Sequence, residues 1–175
     1  KKPDVVYSSI VGGSNVAWWK QLNAAGITAD RQTIMTISVT EDEVLGIGGE
    51  NMEGFYSAMK YFQSLDNENN QAFVEAFKER WGEDSVIGDV TQAAYLGPWL
   101  WKAAVEKAGS FDVDAVAEAS AEIELTTAPE GYVRIHPNHH LWSKLRVGQW
   151  GADGQATVVY ESDLIEPNPF PEGYQ

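Results

Sequence analysis

Two short loops rich in hydroxyl groups are the segments of this sequence best suited to hold a ligand. The first spans residues 8–15 and contains Ser8, Gly12 and Gly13 between an apolar run and an amphipathic stretch. Loops between a strand and a helix are where open α/β sheets bind ligands, with helix amides directed at the site. This loop lacks the lysine of a P-loop and the spacing of a dinucleotide fingerprint. It therefore favours a small uncharged polar ligand, the alternative being a tight turn that binds nothing.

The second loop, residues 38–42, offers both hydroxyl and carboxylate groups. Ser38, Thr40, Glu41 and Asp42 follow a second apolar run. Carboxylates accept hydrogen bonds from N–H groups, and the carboxyl ends of parallel strands meet at one edge of a sheet. We therefore expect this loop to lie beside the first. Because residues 40–43 also spell a capping box, the alternative function of this loop is helix capping alone.

The remaining candidates for chemistry are weaker. His136, His139 and His140 match no standard zinc spacing, and Pro137 prevents them from sharing a helix. The sequence has no cysteine and no GxSxG motif, so it offers no evident nucleophile. We therefore expect no metal site, no cofactor and no enzyme activity.

Composition narrows the choice of partners. The chain has 175 residues, of which 43% are apolar, enough for one folded domain. Its net charge is −14, which disfavours binding to nucleic acid and to anionic membrane surfaces. The longest stretch without formal charge, residues 5–19, is interrupted by Ser, Gly and Asn and falls short of the roughly 20 apolar residues of a membrane helix, so we expect no membrane insertion. The lack of cysteine leaves the redox compartment open.

Hydrophobic periodicity predicts an α/β fold with a parallel sheet. A strand at 5–7 precedes a helix that Ser14 or Asn15 can cap, and a strand at 34–37 precedes a short helix. Two such units in series imply parallel strands. The pattern also predicts helices at 67–81, 91–108 and 112–123, strands at 132–135, 145–150 and 156–160, and a hairpin turn at 153–154.

Two features of the helix at 91–108 carry expectations of their own. Pro98 should kink this helix or delay its start. The helical spacing of Trp18, Trp19, Trp99 and Trp101 favours positions in the core over an exposed stacking surface.

Five segments, in order, resemble the urea and short-chain-amide substrate-binding proteins of ABC transporters. They are VVYSSIVGGSNVAWWKQL, SVTEDEVLGIGGENMEG followed by YFQSLD, QAAYLGPWLWKAAVEKAGSFDVDAV, EGYVRIHPNHHLW and IEPNPFP. The resemblance covers essentially the whole chain. It implies the C-terminal half of a two-lobed type I periplasmic binding protein of the branched-chain amino-acid-binding superfamily: an incomplete parallel-sheet lobe with a hinge-crossing helical piece and a C-terminal β-hairpin.

The resemblance also implies a division of the chain. Residues 1–88 correspond to α/β units of the second lobe, 89–128 to hinge-crossing helices of lobe one, 129–160 to returning strands and hairpin of lobe two, and 161–175 to an extended proline-rich tail. The N-terminal lobe is then missing, supplied by the same or a separate chain, and the opening Lys1-Lys2-Pro3 is typical of a processed or trimmed product. The apolar face of the helix at 91–108, normally covered by lobe one, would be exposed.

The resemblance implies a receptor that closes around a small neutral amide ligand and presents it to an ABC transporter permease. Such a receptor lies outside the cytoplasm, and the full-length form could carry a lipid anchor. Urea has four N–H donors and one carbonyl, so its site needs mainly acceptors, with Glu41 as the anchor. The alternatives are an amide-responsive regulatory sensor, a branched-chain amino-acid receptor and an amidohydrolase, the last disfavoured by the missing nucleophile. Carried over by position, the binding residues are Ile10, Val11, Gly12, Ser38, Thr40, Glu41 and, less closely matched, Asp89.

Overall fold

The computed structural model describes residues 3–173. Residues 1, 2, 174 and 175, the outermost positions of the expected segments 1–88 and 161–175, lie outside the described residues. The elements, in chain order, are β1 (Val5–Ser8), α1 (Ser14–Ala24), β2 (Thr33–Thr36), α2 (Glu41–Ile47), α3 (Gly49–Met52), β3 (Tyr56–Met59), α4 (Glu68–Trp81), α5 (Asp89–Ala108), α6 (Val113–Ser120), β4 (Glu124–Ala128), β5 (Gly131–Ile135), β6 (Leu141–Trp142), β7 (Arg146–Trp150) and β8 (Ala156–Glu161).

A five-stranded sheet in the order β1-β2-β3-β7-β8 forms the larger unit. β1, β2 and β3 are parallel, which confirms the sheet type predicted from the two strand-loop-helix units. β7 and β8 add an antiparallel hairpin, whose turn contains Gly154 with a positive φ of 78°. β3 was not predicted, although it lies at the centre of the sheet.

The main core lies between this sheet and the helices α1, α2 and α3. Ile34 and Met59 project from the sheet onto Trp19, which is fully buried and packs against Phe55 with ring centroids 4.9 Å apart. Trp150 of β7 is also buried in this cluster. Each fully buried side chain of this size contributes about 1.5–3 kcal/mol, so this cluster is a main source of stability.

A second unit consists of α5, α6 and a three-stranded antiparallel sheet in the order β4-β5-β6. Leu96 and Ala104 of α5 pack against Val133 and Ile135 of β5. The expected boundary between residues 128 and 129 falls in the turn that joins the paired strands β4 and β5. The helix predicted at 112–123 ends at Ser120, because β4 begins four residues later and pairs with β5.

α5 differs from its prediction in two respects. It begins at Asp89 rather than Thr91 and continues through Pro98 to Ala108 as one helix. Trp99 and Trp101 are 47% and 56% exposed, so the expectation that they lie in the core was wrong. The physical reason is that the buried stripe of α5 runs through Gln92, Leu96 and Ala104 at intervals of four and eight residues, and the two tryptophans lie outside it. Trp19, by contrast, is fully buried as expected.

The C-terminal tail lies along β6 instead of forming further regular structure. Ile165 forms an antiparallel bridge with Ser143, and the Asn138 side chain donates to the Pro167 carbonyl at 3.1 Å. His136 is 3.3 Å from the Glu166 carboxylate. Between residues 3 and 173, no helix has both the length and the apolar character needed to cross a membrane, and no three potential ligands among His, Asp and Glu group as a metal site would require.

Candidate ligand-binding site

The loops that follow β1 and β2 are joined directly at the carboxyl edge of the sheet. The Ser38 hydroxyl donates to the Ile10 carbonyl, and the Asn15 amide donates to the Ile10 carbonyl at 2.9 Å and to the Ser38 carbonyl at 3.4 Å. Asn15 is fully buried. It was expected as a helix cap, but the cap residue of α1 is Gly13, and the Asn15 side chain binds the two loops together instead.

The other candidates in these two loops differ in how much of their polar surface is free. Thr40 donates its hydroxyl to Glu43 at 2.7 Å and its backbone amide to the same carboxylate at 2.8 Å, so Thr40 and Glu43 form the capping box at the start of α2. Gly12 has a positive φ of 64°, which its lack of a side chain permits. Its carbonyl accepts the backbone N–H of Asn15. Val11, the residue between Ile10 and Gly12, has an exposed side chain.

Glu41 lies at the first position of α2 and is only 1% exposed. Its Oε1 atom accepts the backbone amide of Gln63 at 2.8 Å, whereas its Oε2 atom has no hydrogen-bond partner among the described residues. The pKa of Glu41 is raised to about 7, chiefly by burial; backbone amide hydrogen bonds act in the opposite direction, and the negative charges of Asp42 and Asp89 add to the rise. The site thus contains a buried acceptor whose charge depends on pH near neutrality.

Asp89 brings the start of α5 to the same edge. Its Oδ1 atom accepts the Tyr61 amide at 2.9 Å and lies 3.9 Å from the Lys60 ammonium group. Burial raises the pKa of Asp89, and the Lys60 charge acts in the opposite direction. Asp89 and Glu41 therefore each accept a backbone amide from the same loop, residues 60–63, which follows β3.

The start of α5 is also fixed to the start of α2. Asp42 accepts the Gly88 amide at 3.0 Å and the Thr91 hydroxyl at 3.1 Å. A Cβ atom at Gly88 would overlap the side chains of Thr40 and Asp42, so glycine allows this close approach. These contacts connect the second loop to α5.

A cluster of charged residues connects the unit of the five-stranded sheet to the unit formed by α5, α6 and the three-stranded sheet. We call it the Arg146 cluster; it comprises Arg146, Lys60, Glu130 and Glu161. Arg146 donates to Glu161 at 2.7 Å, to the Glu130 carbonyl at 3.1 Å and to the Lys60 carbonyl. The Lys60 ammonium group donates to Gln92 of α5 at 3.1 Å and to Glu130 at 3.3 Å. The loop after β3 is therefore fixed from both sides.

Taken together, the seven residues singled out from the sequence lie along one rim, formed by the loops after β1, β2 and β3 and the start of α5. Four residues that build this rim were not predicted from the sequence: Asn15 as a bridge, and Lys60, Tyr61 and Gln63 in the third loop. Asn15 could have been found, because it lies within the first loop. The other three follow β3, whose absence from the prediction removed the signal.

A parallel sheet with polar loops at its carboxyl edge, connected to a second unit by one long helix, is the architecture of an α/β ligand-binding lobe. A family model described as "periplasmic binding protein domain" matches residues 1–175. The chain belongs to this family, and its fold is that of a lobe of a type I periplasmic binding protein.

Solved structures of similar fold come from transport proteins. The chain superposes on an amino acid ABC transporter substrate-binding protein from Pseudomonas fluorescens with a TM-score of 0.80, at 22% identity over 95% of this chain and 46% of that one. A leucine-binding protein from Thermotoga maritima gives a TM-score of 0.75, at 21% identity over 91% of this chain and 44% of that one. The chain thus spans less than half the length of these proteins.

One protein of similar sequence is named for an enzyme activity instead of for transport. A limonene hydroxylase from Geobacillus stearothermophilus is 34% identical over 121 residues, which are 69% of this chain and 22% of that protein. Because the match covers so small a part of the Geobacillus protein, its named activity describes that protein and does not define this chain.

Proposed function

We propose that this chain is part of an extracytoplasmic solute receptor that binds urea or a short-chain amide between two lobes and delivers it to an ABC transporter permease. Membership of the periplasmic binding protein family supports the receptor role. The observation that carries the ligand class is the buried Glu41 carboxylate at the carboxyl edge of the sheet, because one of its oxygen atoms has no partner within residues 3–173.

The chemistry of a small amide fits this acceptor. A buried polar atom without a hydrogen bond costs about 1–3 kcal/mol, so a ligand that donates to Glu41 Oε2 would recover that free energy. Urea, formamide and acetamide each present N–H donors with a neutral overall charge. The carbonyl of such a ligand would accept hydrogen bonds from the backbone N–H groups of Val11 and Gly12, in the loop that precedes α1.

The other members of the rim would act mainly on position. The Ser38 hydroxyl already donates to the Ile10 carbonyl and the Thr40 hydroxyl to Glu43, so both hold the loops in place. Asp89 would act through its charge and through the Tyr61 amide that it holds. Glu41 is thus the proposed ligand-contacting group, and the surrounding residues fix its environment.

A branched-chain amino acid is the second candidate ligand. Two carboxylates, Glu41 and Asp89, lie on the rim, and an acidic pair suits an ammonium group as well as it suits a neutral amide. The similarity to the leucine-binding protein supports this alternative. The two candidates differ in one respect: an amino acid brings a carboxylate that needs donors of its own.

Lobe closure around the ligand would complete the site. The solved structures are more than twice as long as the part this chain matches, so the opposite wall of the cleft would come from the remaining part of the receptor. Hinge closure between lobes is a common way for receptors of this shape to trap a solute. The proposed activity is accordingly that of the intact receptor.

Isothermal titration calorimetry on the intact receptor tests the proposal, with urea, formamide, acetamide and leucine as titrants. We expect heat with at least one of the three amides, and we expect Glu41→Gln to weaken that binding by about tenfold to a hundredfold, as for loss of a hydrogen bond to a charged group. Glu53→Gln, at an exposed position outside the rim, is the matched control and should bind like the wild type. Heat with leucine alone would favour the second candidate, and no heat with any titrant would refute both.

A further inference from the structure

The Lys60 ammonium group reaches from the larger unit into the second unit. Lys60 directly follows β3, and its three acceptors all lie in the second unit: Gln92 at 3.1 Å, Glu130 at 3.3 Å and Asp89 at 3.9 Å. Gln92 and Asp89 belong to α5, whereas Glu130 lies in the turn between β4 and β5. One cation of the larger unit thus holds two separate elements of the second unit.

Glu130 is held by the larger unit at both its side chain and its backbone. The residue is only 6% exposed, and its backbone carbonyl accepts Arg146 of β7 at 3.1 Å. Removing one partner of a buried charge is costly, because the remaining charge is then uncompensated. The pair of Lys60 and Glu130 therefore favours the arrangement of the two units in which it is formed.

The backbone crosses between the two units in short segments that contain neither helix nor strand. The crossings are residues 82–88, 143–145 and 162–165. Two of them are joined, because the Ser162 amide donates to the Leu145 carbonyl at 2.9 Å. Short connections of this kind absorb the change in backbone angles when one unit rotates against another. The orientation of the units then depends on side-chain contacts between them.

Lys60 also begins the loop on which the proposed ligand contact depends. Within this loop, the Tyr61 amide donates to Asp89 at 2.9 Å and the Gln63 amide donates to Glu41 at 2.8 Å. A rotation that separates Lys60 from Glu130 would therefore disturb the amide bound to Glu41. The contact is formed in the arrangement in which the rim is assembled.

We propose that the contact between Lys60 and Glu130 fixes the orientation of the two units in the unliganded receptor and thereby raises its affinity for the solute. Lys60 and Glu130 are positioning residues, since neither is proposed to touch the ligand. The inference deepens the proposed function and rests on it in one respect, the closure of two lobes around a ligand. A receptor whose units are already oriented loses less conformational freedom when it binds.

The distance between the two units tests the proposal without any ligand. Nitroxide labels at Leu45→Cys on α2 and Glu118→Cys on α6 place one probe on each unit, at exposed positions of a chain that contains no cysteine. Double electron–electron resonance on the intact receptor then gives the distribution of distances. We expect a narrow distribution in the labelled wild type and a broader one after Lys60→Met.

Three further variants separate this contact from a general effect of charge. Glu130→Gln removes the same ion pair from the other side and carries the test if Lys60→Met does not fold. Lys60→Arg keeps the cation and should keep the distribution narrow. Lys102→Met removes an exposed cation paired with Glu106 and should leave the distribution unchanged. A distribution in Lys60→Met and Glu130→Gln as narrow as in the wild type, or one equally broadened by Lys102→Met, would overturn the proposal.

Calorimetry with the amide that binds the wild type tests the effect on affinity. We expect Lys60→Met to raise the dissociation constant at least about fivefold, the lower end of typical couplings between sites. An affinity that is unchanged or higher in Lys60→Met, in spite of a broader distribution, would refute the effect on the rim. If no titrant binds the wild type, the proposed function fails, whereas the distances still decide whether the contact orients the units.

Discussion

Two groups of charges in this protein, one centred on the buried Arg146 and one on the buried Glu41, lie close together but are built on opposite principles. In the Arg146 cluster, the guanidinium group donates to one carboxylate and two carbonyls, and the Lys60 ammonium group meets Glu130 and Gln92. Glu41, on the rim, has one amide donor, an oxygen atom with no partner among the described residues, and two acidic neighbours that raise its pKa.

The difference separates a structural role from a functional one. Buried charges that are fully paired hold elements in a fixed arrangement, and removing one partner is costly. A buried carboxylate whose pKa is raised and whose acceptor atom is free is instead typical of a binding or catalytic position. The comparison therefore favours a structural role for the Arg146 cluster and supports the ligand contact that we propose for Glu41.

The largest effect on stability is expected for Arg146→Ala. The substitution leaves the carbonyls of Lys60 and Glu130 without their donor and Glu161 without one partner, so the free energy of unfolding should fall by about 3–5 kcal/mol. Arg134→Ala, which removes an arginine paired with the exposed Glu122, is the control and should cost less than about 1 kcal/mol. Unfolding in guanidinium chloride measures both. Equal losses in the two variants would contradict the distinction between the buried charges around Arg146 and an exposed ion pair.

The next effect is a dependence of stability on pH that comes from Glu41. Its pKa is about 7 in the folded protein and 4.5 as the ordinary value, so the folded state holds more protons between these two pH values. Stability from this group is therefore present below pH 4.5 and is lost as the pH rises to 7, by up to about 3 kcal/mol.

Glu41→Gln should flatten this part of the pH profile, measured by thermal unfolding from pH 4 to pH 8. The raised pKa of Asp89 has the same sign, so a smaller slope should remain in the variant. Glu53→Gln should keep the slope of the wild type. A Glu41→Gln profile that is just as steep as the wild-type profile would show that this carboxyl titrates normally.

A smaller effect is expected for Lys60→Met, which tests the link between the two groups of charges. Loss of the ammonium group leaves Glu130 with one partner fewer and should cost about 1–2 kcal/mol. It should also raise the pKa of Asp89 further, because Lys60 lowers it now. Lys102→Met removes an exposed pair with Glu106 on α5 and should change stability by less than about 0.5 kcal/mol. An unchanged Asp89 titration by NMR in Lys60→Met would show that the two groups are independent.

Most of the larger unit could be predicted from the sequence, because its signals are local. The apolar runs at β1 and β2, the capping box at Thr40 and the turn at Gly154 all depend on residues close in the chain, and all are present in the structure. β3 was not predicted because its apolar pattern is interrupted by Ser57. This polar residue is fully buried, where its hydroxyl donates to the Val39 carbonyl and accepts from the Trp150 indole N–H. Its partner strand β7 lies some ninety residues away in the chain.

In the candidate site, too, the contacts that follow from local sequence patterns could be predicted and those that depend on distant segments could not. The positions of the loops after β1 and β2 follow from the order of the strands, so the two loops were expected to lie side by side. In the structure the Ser38 hydroxyl donates to the Ile10 carbonyl. The contact of Glu41 with the Gln63 amide and that of Asp89 with the Tyr61 amide depend on the loop after β3. No local sequence pattern predicted this loop. The exposure of Trp99 and Trp101 also depends on which side of α5 meets the second sheet, and that is a tertiary property.

The most direct test of the account is the titration of the Glu41 side-chain carboxyl by carbon-13 NMR in the intact receptor, with and without saturating urea. Without urea, we expect a pKa of about 7. Urea that donates N–H groups to Oε2 stabilises the ionised form, so the pKa should fall in the complex. If urea binds and the Glu41 pKa stays unchanged, Glu41 is not the acceptor that recognises the solute.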